Sequence, residues 1–188
     1  LAVPGGFSYG DDTGSGNALA QKIRLALMDH LLEFIARDTL TIGICNGCQT
    51  LANLGLVPAI GGAYGDRKVA VTFNESNRYQ CRWVHLKVNE NNTSPWLKDI
   101  DTLHIPIAHG EGRFIIHDDV LQKIQGKNLI AAQYVTADHE PANGAFPANP
   151  NGSIADMAAL TDDSGKVLAM MPHPERGMFD WQRPDSDN

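Results

Sequence analysis

A cysteine between two glycines is the feature of this sequence that most clearly indicates chemistry. Cys45 follows the short apolar run Leu40–Ile44 and precedes residues with helical spacing, so we expect a strand, a sharp turn and a helix. Gly43 and Gly47 flank the cysteine, as such a turn requires, because it leaves little room for a Cβ atom. The helix N-terminus would favour the thiolate, and the backbone N–H of Asn46 would point at an oxyanion. We therefore interpret Cys45 as a nucleophile.

A histidine and a glutamate that alternate with prolines could supply the base for this thiol. His173 and Glu175 directly follow a predicted buried strand, Val167–Met171. The prolines beside them favour an extended backbone, in which residues i and i+2 point to the same side. Glu175 could then hold one ring nitrogen while the other takes a proton from Cys45. This is the nucleophile, base and orienting-group logic of a catalytic triad.

Two further glycine-containing loops are candidates for the same site. Gly5 and Gly6 follow the end of a strand at Leu1–Val3 and could bring a backbone N–H close to a ligand, which would make them a second oxyanion donor. A plain tight turn explains these two glycines equally well. The segment 108–113 is predicted to be another tight glycine loop, and it carries His109, which we expect near the site.

The elements that must position these residues follow from hydrophobic periodicity. An apolar stripe predicts one long helix over Asn17–Arg37, and a second helix ends at Gly55. The first 60 residues thus alternate strand, helix, strand and helix, which implies a parallel sheet covered on both faces with the site at the carboxyl ends of its strands. Further strands are predicted at 69–73, 81–88, 103–107, 129–135, 157–160 and 167–171.

Composition limits the class of protein. At 188 residues we expect one domain, 1–188, and both of its ends look cut. A net charge of −7 argues against nucleic-acid or anionic-membrane binding. No apolar run approaches the roughly 18 residues that span a bilayer, and the first residues do not resemble a signal peptide. Three cysteines, an odd number, fit a reducing compartment. We therefore expect a soluble, cytoplasmic domain.

Other interpretations of the cysteine stay open. Cys45 and Cys48 form a Cys-x-x-Cys pattern, which could be a redox dithiol or half of a zinc site. A structural zinc site needs four ligands, but there is no second Cys-x-x-Cys and Cys81 stands alone. A dithiol would leave His173 and Glu175 without a role, and a merely structural cysteine would not explain the paired glycines.

Taken together, these motifs resemble those of a known family. Residues 43–49 with 173–175 resemble the triad (class I) glutamine amidotransferases. The segments 4–11, 108–113 and 170–176 narrow the resemblance to the glutaminases of phosphoribosylformylglycinamidine synthases. The resemblance implies a doubly wound, flavodoxin-like α/β fold with a mostly parallel sheet and helices on both faces. The first strand–helix–strand unit of that family and its closing helix are absent here, so we expect a domain truncated at its N-terminus and at its C-terminus.

The same resemblance implies a reaction. Cys45 would attack the side-chain amide of glutamine and form a glutamyl thioester, which releases ammonia, and water would then hydrolyse the thioester. His173 would act as base and acid, and Glu175 would orient it. The backbone amides of Gly6 and Asn46 would hold the oxyanion.

The remaining implications concern substrate and partners. Gln49, His109, Gly110 and Glu111 are expected to bind glutamine, with no cofactor and no metal in this domain. A synthetase partner would use ATP and magnesium, with this ammonia, to convert formylglycinamide ribonucleotide to its amidine in purine biosynthesis. The alternatives are the glutaminase of another ammonia-using synthetase, a Cys-x-x-Cys redox protein, and a non-catalytic regulatory domain that keeps the fold.

Overall fold

The short apolar runs of the sequence form strands in the computed structural model, which describes residues 1–184. Seven strands make one sheet in the order β1-β2-β9-β8-β7-β4-β5, and β3 pairs with β6 in a separate two-stranded sheet. The strands are β1 (Ala2–Val3), β2 (Thr41–Ile44), β3 (Val69–Phe73), β4 (Gln80–Val88), β5 (Thr102–His109), β6 (Glu111–Ile116), β7 (Ile130–Val135), β8 (Met157–Thr161) and β9 (Val167–Met170).

The α/β class is as predicted, but the prediction of a mostly parallel sheet is wrong. Only the pairs β1–β2 and β2–β9 are parallel, whereas β9–β8, β8–β7, β7–β4 and β4–β5 are antiparallel. The alternation of the first 60 residues does not continue along the chain. Residues 89–101 join β4 to β5, and residues 162–166 join β8 to β9, without an α-helix. Parallel strands that follow one another in the sequence are usually joined by a longer crossover with a helix. The sheet is therefore mixed.

Within the described residues, four α-helices cover this sheet, and their buried apolar side chains belong to one core cluster. Along β9, Val167 and Ala169 face that cluster, while Leu168 and Met170 face a second one. Within residues 1–184 the second cluster contains no α-helical residue, so the expectation of helices on both faces holds for one face only. The helices are α1 (Asn17–Ala26), α2 (Met28–Ala36), α3 (Asn46–Leu54) and α4 (Asp118–Gly126).

The predicted boundaries differ from the observed ones in two places. The long helix expected over Asn17–Arg37 is broken at Leu27, whose φ of −134° and ψ of 0° lie outside the helical region. The helix α4 was not predicted, because it buries only Val120 and Ile124 and most of its other residues are polar. Every helix in the described part of the chain is too short or too polar to traverse a lipid bilayer.

Close backbone packing explains the two glycines beside the cysteine. A Cβ atom added to Gly47 would overlap the carbonyl oxygen of Val3 in β1, and one added to Gly43 would lie 2.6 Å from the carbonyl oxygen of Gly47. The first turn of α3 thus lies directly against β1 and β2. Any larger residue at these positions would push the helix away from the sheet and displace the turn that carries Cys45.

This packing predicts a specific loss of stability. Replacing Gly47 by Ala should lower the free energy of unfolding by about 2 kcal/mol, because overpacking of a tight contact costs that order of energy. Urea unfolding followed by circular dichroism measures the change. Gly126→Ala is the matched control, since nothing lies within 4 Å of a Cβ there and alanine is a better helix former than glycine. Equal losses in the two variants would contradict the packing argument.

Candidate active site

The turn between β2 and α3 holds Cys45 in a strained backbone conformation. Its φ is 52° and its ψ is −107°, which few residues other than glycine adopt. The N–H of Cys45 donates to the carbonyl of Met170 in β9 at 2.8 Å, which fixes the turn against that strand. The carbonyl of Cys45 accepts the N–H of Gln49 at 3.1 Å, where α3 begins. This is the predicted strand, sharp turn and helix. Strain of this kind is typical of nucleophile elbows.

The side chain of Cys45 is buried. The residue is 5% exposed, and the thiol donates to the carbonyl oxygen of Ala108 in β5, 3.8 Å away. Burial raises the pKa of Cys45 to about 11. The negative charges of Glu175 and Asp11 also raise this pKa, whereas the backbone N–H groups of Asn46 and Gly6 lower it. The N–H of Asn46 at the helix N-terminus favours the thiolate, as we predicted, but burial outweighs the N–H groups and the net change is a raised pKa.

The predicted base, His173, forms the predicted contact with the carboxylate of Glu175. His173 is 5% exposed, and its Nδ1 lies 2.5 Å from Oε1 of Glu175. The backbone N–H of His173 donates to the carbonyl of Pro106 in β5 at 2.8 Å. The segment after it is a 3₁₀ turn, Pro174–Arg176, and not the extended strand we predicted. The predicted contact forms nonetheless, because the turn still brings the carboxylate to the ring nitrogen.

One glycine brings the thiol and the imidazole together. A Cβ atom added to Gly5 would lie 2.8 Å from Cε1 of His173 and 3.3 Å from the Cβ of Cys45. The side chains of Cys45 and His173 therefore both line the space beside Gly5, and the absence of a side chain there lets them approach. Of the two interpretations of this glycine pair, the geometry favours the one in which the loop belongs to the site.

The two predicted oxyanion donors lie beside the sulfur. The backbone N–H groups of Asn46 and Gly6 both lower the pKa of Cys45, which means that both interact with the charge of a thiolate. Gly6 has a φ of +141°, so its N–H is presented by a backbone conformation that L side chains rarely adopt. Two N–H groups converging on the nucleophile are the arrangement that an oxyanion hole requires.

Two of the residues expected to bind glutamine, Gln49 and Glu111, belong to a hydrogen-bonded network around the start of α3. The Gln49 side chain donates to the carbonyl oxygen of Glu111 at 2.5 Å. The Asn46 side chain donates to Oε1 of Gln49 at 3.1 Å and to Oδ1 of Asp11 at 3.2 Å. The Glu111 carboxylate accepts the backbone N–H of Ser15 at 3.2 Å. Asp11 lies within the segment 4–11, but our sequence analysis assigns it no role.

His109 ends a strand, whereas we predicted that it lies within a tight glycine loop. It is the last residue of β5 and only Gly110 separates it from β6, so the predicted glycine loop is a one-residue connection. Its side chain is 2% exposed, and burial, with a smaller effect of His173, lowers its pKa to about 4. Its ring contacts Asn74. Asn74 is not among the predicted site residues, because no motif or periodicity marks it in the sequence.

The alternatives to a triad find no support at this site. Cys48 is fully buried in the core under the sheet, and burial raises its pKa well above the usual range. Cys45, Cys48 and Cys81 are all free thiols. Across residues 1–184, no three His, Cys, Asp or Glu side chains are grouped closely enough to hold a metal ion.

Comparison with known proteins now identifies the class. The sequence profile of the CobB/CobQ-like glutamine amidotransferase domain matches residues 1–188, and the chain belongs to this family. Phosphoribosylformylglycinamidine synthase subunit PurQ of Methanococcus maripaludis is 47% identical over 98% of this chain and 68% of its own length. The PurQ subunit of Dehalococcoides mccartyi is 40% identical, with 98% and 69% covered.

Two further similarities extend this result. The phosphoribosylformylglycinamidine synthase of Drosophila melanogaster is 38% identical over 96% of this chain, which corresponds to 14% of that much longer protein. Among solved structures, PurLQS from Thermotoga maritima superimposes with a TM-score of 0.71 at 32% identity, covering 96% of this chain and 71% of the other. The glutamine amidotransferase fold expected from the sequence motifs is thereby confirmed.

The raised pKa of the nucleophile predicts how it reacts with a small electrophile. Alkylation of Cys45 by iodoacetamide should accelerate about tenfold per pH unit from pH 7 to pH 10 without a plateau, because only the thiolate reacts and its fraction rises toward a pKa of about 11. Peptide mass spectrometry in a Cys81→Ser background measures the rate without interference from the exposed thiol. A plateau below pH 8 would show that Cys45 is already a thiolate.

Proposed function

We propose that this chain is the glutaminase of a phosphoribosylformylglycinamidine synthase. It hydrolyses the side-chain amide of glutamine and supplies the ammonia with which a synthetase converts formylglycinamide ribonucleotide to formylglycinamidine ribonucleotide, in purine biosynthesis. The observation that carries this proposal is that Cys45 and His173 both line the space beside Gly5, with Glu175 holding the far nitrogen of the imidazole. The names of the relatives supply the pathway.

The buried thiol assigns the first step to His173. The thiol cannot ionise alone near neutral pH, so its proton passes to Nε2 of His173 as the sulfur attacks the amide carbon. Glu175 stabilises the resulting imidazolium through Nδ1. The N–H groups of Gly6 and Asn46 take up the charge that develops on the amide oxygen.

The second half of the reaction uses the same groups in reverse. The imidazolium of His173 gives its proton to the amide nitrogen, the C–N bond breaks, and ammonia leaves a thioester on Cys45. A water molecule then loses its proton to His173 and attacks the thioester carbon, and the thiol is regenerated as glutamate departs. This scheme uses side chains and water, while ATP and magnesium act in the synthetase partner.

The surface beside the site suits the docking of that partner. Large apolar side chains are exposed on the segments that build the site: Phe7 after Gly6 is 62% exposed, and Met178 after the Glu175 turn is 68% exposed. Tyr79, over Gly110, is 53% exposed. A contiguous patch of exposed apolar groups is typical of an interaction surface. We take the chain as one amidotransferase domain of a cytoplasmic enzyme, in keeping with its free thiols.

The function is tested by separating the two nitrogen sources of the assembled complex. Cys45→Ala should reduce glutamine-dependent synthesis by about 10⁴-fold or more, because the nucleophile is lost, while ammonia-dependent synthesis stays within about twofold. The readout is formylglycinamidine ribonucleotide formed with glutamine or with ammonium chloride.

Cys48→Ala is the matched control, because Cys48 is buried in the same helix turn but has no step in the scheme. It should retain both activities, whereas a dithiol mechanism requires that it lose activity as Cys45→Ala does. Loss of both activities in Cys45→Ala would mean that this cysteine holds the structure together and is not the nucleophile.

A further inference from the structure

One nitrogen of the His109 ring is buried without a partner. Nε2 of His109 has no hydrogen-bond partner among the residues that the structure describes, although the residue is only 2% exposed. An unpaired buried polar atom destabilises the folded protein, so it calls for a physical reason. Nε2 of His173 is also buried and unpaired, and that nitrogen is reserved for the proton of Cys45 in the proposed reaction. The triad gives no such task to His109.

Asn74 determines which nitrogen of His109 carries the proton. The side-chain amide nitrogen of Asn74 donates to the carbonyls of Arg78 at 2.8 Å and His109 at 2.9 Å. Its Oδ1 must therefore be the acceptor, and it takes the N–H of Gly112 at 3.0 Å and faces Nδ1 of His109 at 3.2 Å. The ring nitrogen opposite an acceptor has to be the donor, so Nδ1 carries the proton and Nε2 presents a lone pair.

The position of the ring is fixed and close to the reacting groups. A Cβ atom on Gly112 would overlap the ring of His109, so the ring packs directly on that glycine. The residue before it, Ala108, accepts the thiol hydrogen of Cys45. Burial and the charge of His173 lower the pKa of His109 to about 4, which keeps the ring neutral near pH 7. The lone pair is therefore retained while the reaction runs.

We propose that Nε2 of His109 accepts an N–H of the leaving nitrogen of glutamine, and that Asn74 is the residue that positions this acceptor. The inference rests on the proposed glutaminase function and adds the group that receives the leaving nitrogen. This nitrogen is a fixed, neutral acceptor on the residue next to the one that accepts the thiol hydrogen of Cys45, and it has no partner among the described residues.

The balance of the step shows why such an acceptor is needed. When the tetrahedral intermediate collapses, the C–N electron pair goes to nitrogen, which takes one proton from His173 and leaves as ammonia with three N–H bonds. The oxyanion donors cannot accept any of them, because N–H groups only donate. His173, now neutral, can accept one, and His109 supplies a second acceptor. A buried leaving group with unpaired N–H bonds would otherwise raise the barrier.

A change of leaving group isolates this role. In the assembled complex, His109→Ala should lower kcat/KM for glutamine by about 10- to 100-fold, because a buried N–H left without its acceptor carries a penalty of that order. The same variant should lower kcat/KM for glutamic acid γ-methyl ester by less than about threefold, because methanol leaves without an N–H group. Release of glutamate measures both reactions, and His117→Ala, at an exposed histidine outside the site, is the control.

The outcomes separate this inference from the function on which it rests. Equal losses on glutamine and on the ester would overturn the role of His109 and leave the glutaminase intact. A wild-type complex that hydrolyses neither substrate would overturn the proposed function and this assignment with it. Ammonia-dependent synthesis in the same samples shows whether the variant complex is assembled.

A spectroscopic measurement tests Asn74 and does not depend on the activity of any variant. Nitrogen-15 NMR of histidine-labelled wild-type protein at pH 7 should show the His109 ring neutral and protonated at Nδ1, the nitrogen that faces Asn74. In Asn74→Ala, this ring should change its tautomer while the signals of the other rings stay. A His109 ring that is not protonated at Nδ1 in the wild type, or an unchanged spectrum in Asn74→Ala, would overturn the assignment.

Discussion

The burial of the Cys45 thiol is the constraint on which the rest of this site depends. A thiol with a pKa raised to about 11 is a poor nucleophile at neutral pH, so the fold has to provide a base next to it. The same burial makes each N–H group near the sulfur more effective, because charges interact more strongly away from water. The helix N-terminus thus contributes to the stabilisation of charge that develops during the reaction and does not create a resting thiolate.

The fold meets this constraint with backbone contacts between the ends of neighbouring strands. The turn after β2 holds Cys45, the end of β9 leads into His173, and the loop after β1 places Gly5 against both. Carbonyl oxygens of β5 accept the thiol hydrogen of Cys45 and the backbone N–H of His173. Parallel pairing of β1, β2 and β9 brings these three segments to the same edge of the sheet, which explains why residues so far apart in the sequence form one site.

Much of the site could be predicted from the sequence, because its parts are marked by local rules. Glycines beside Cys45 signal a turn without space for side chains, and the spacing of His173 and Glu175 signals their contact. The mixed sheet could not be predicted from the first 60 residues, since strand direction later in the chain depends on connections with weak signals. Nor could Asn74 be found, because its role comes from four contacts that only the folded chain assembles.

The measurement that tests this account most directly is labelling with an electrophilic glutamine analogue, such as a γ-halomethyl ketone, followed by peptide mapping with and without excess glutamine. The account predicts a single adduct on Cys45 whose formation glutamine suppresses, because the nucleophile and the glutamine site are the same place. An adduct shared between Cys45 and Cys48, or one that glutamine does not suppress, would contradict it and would favour a dithiol.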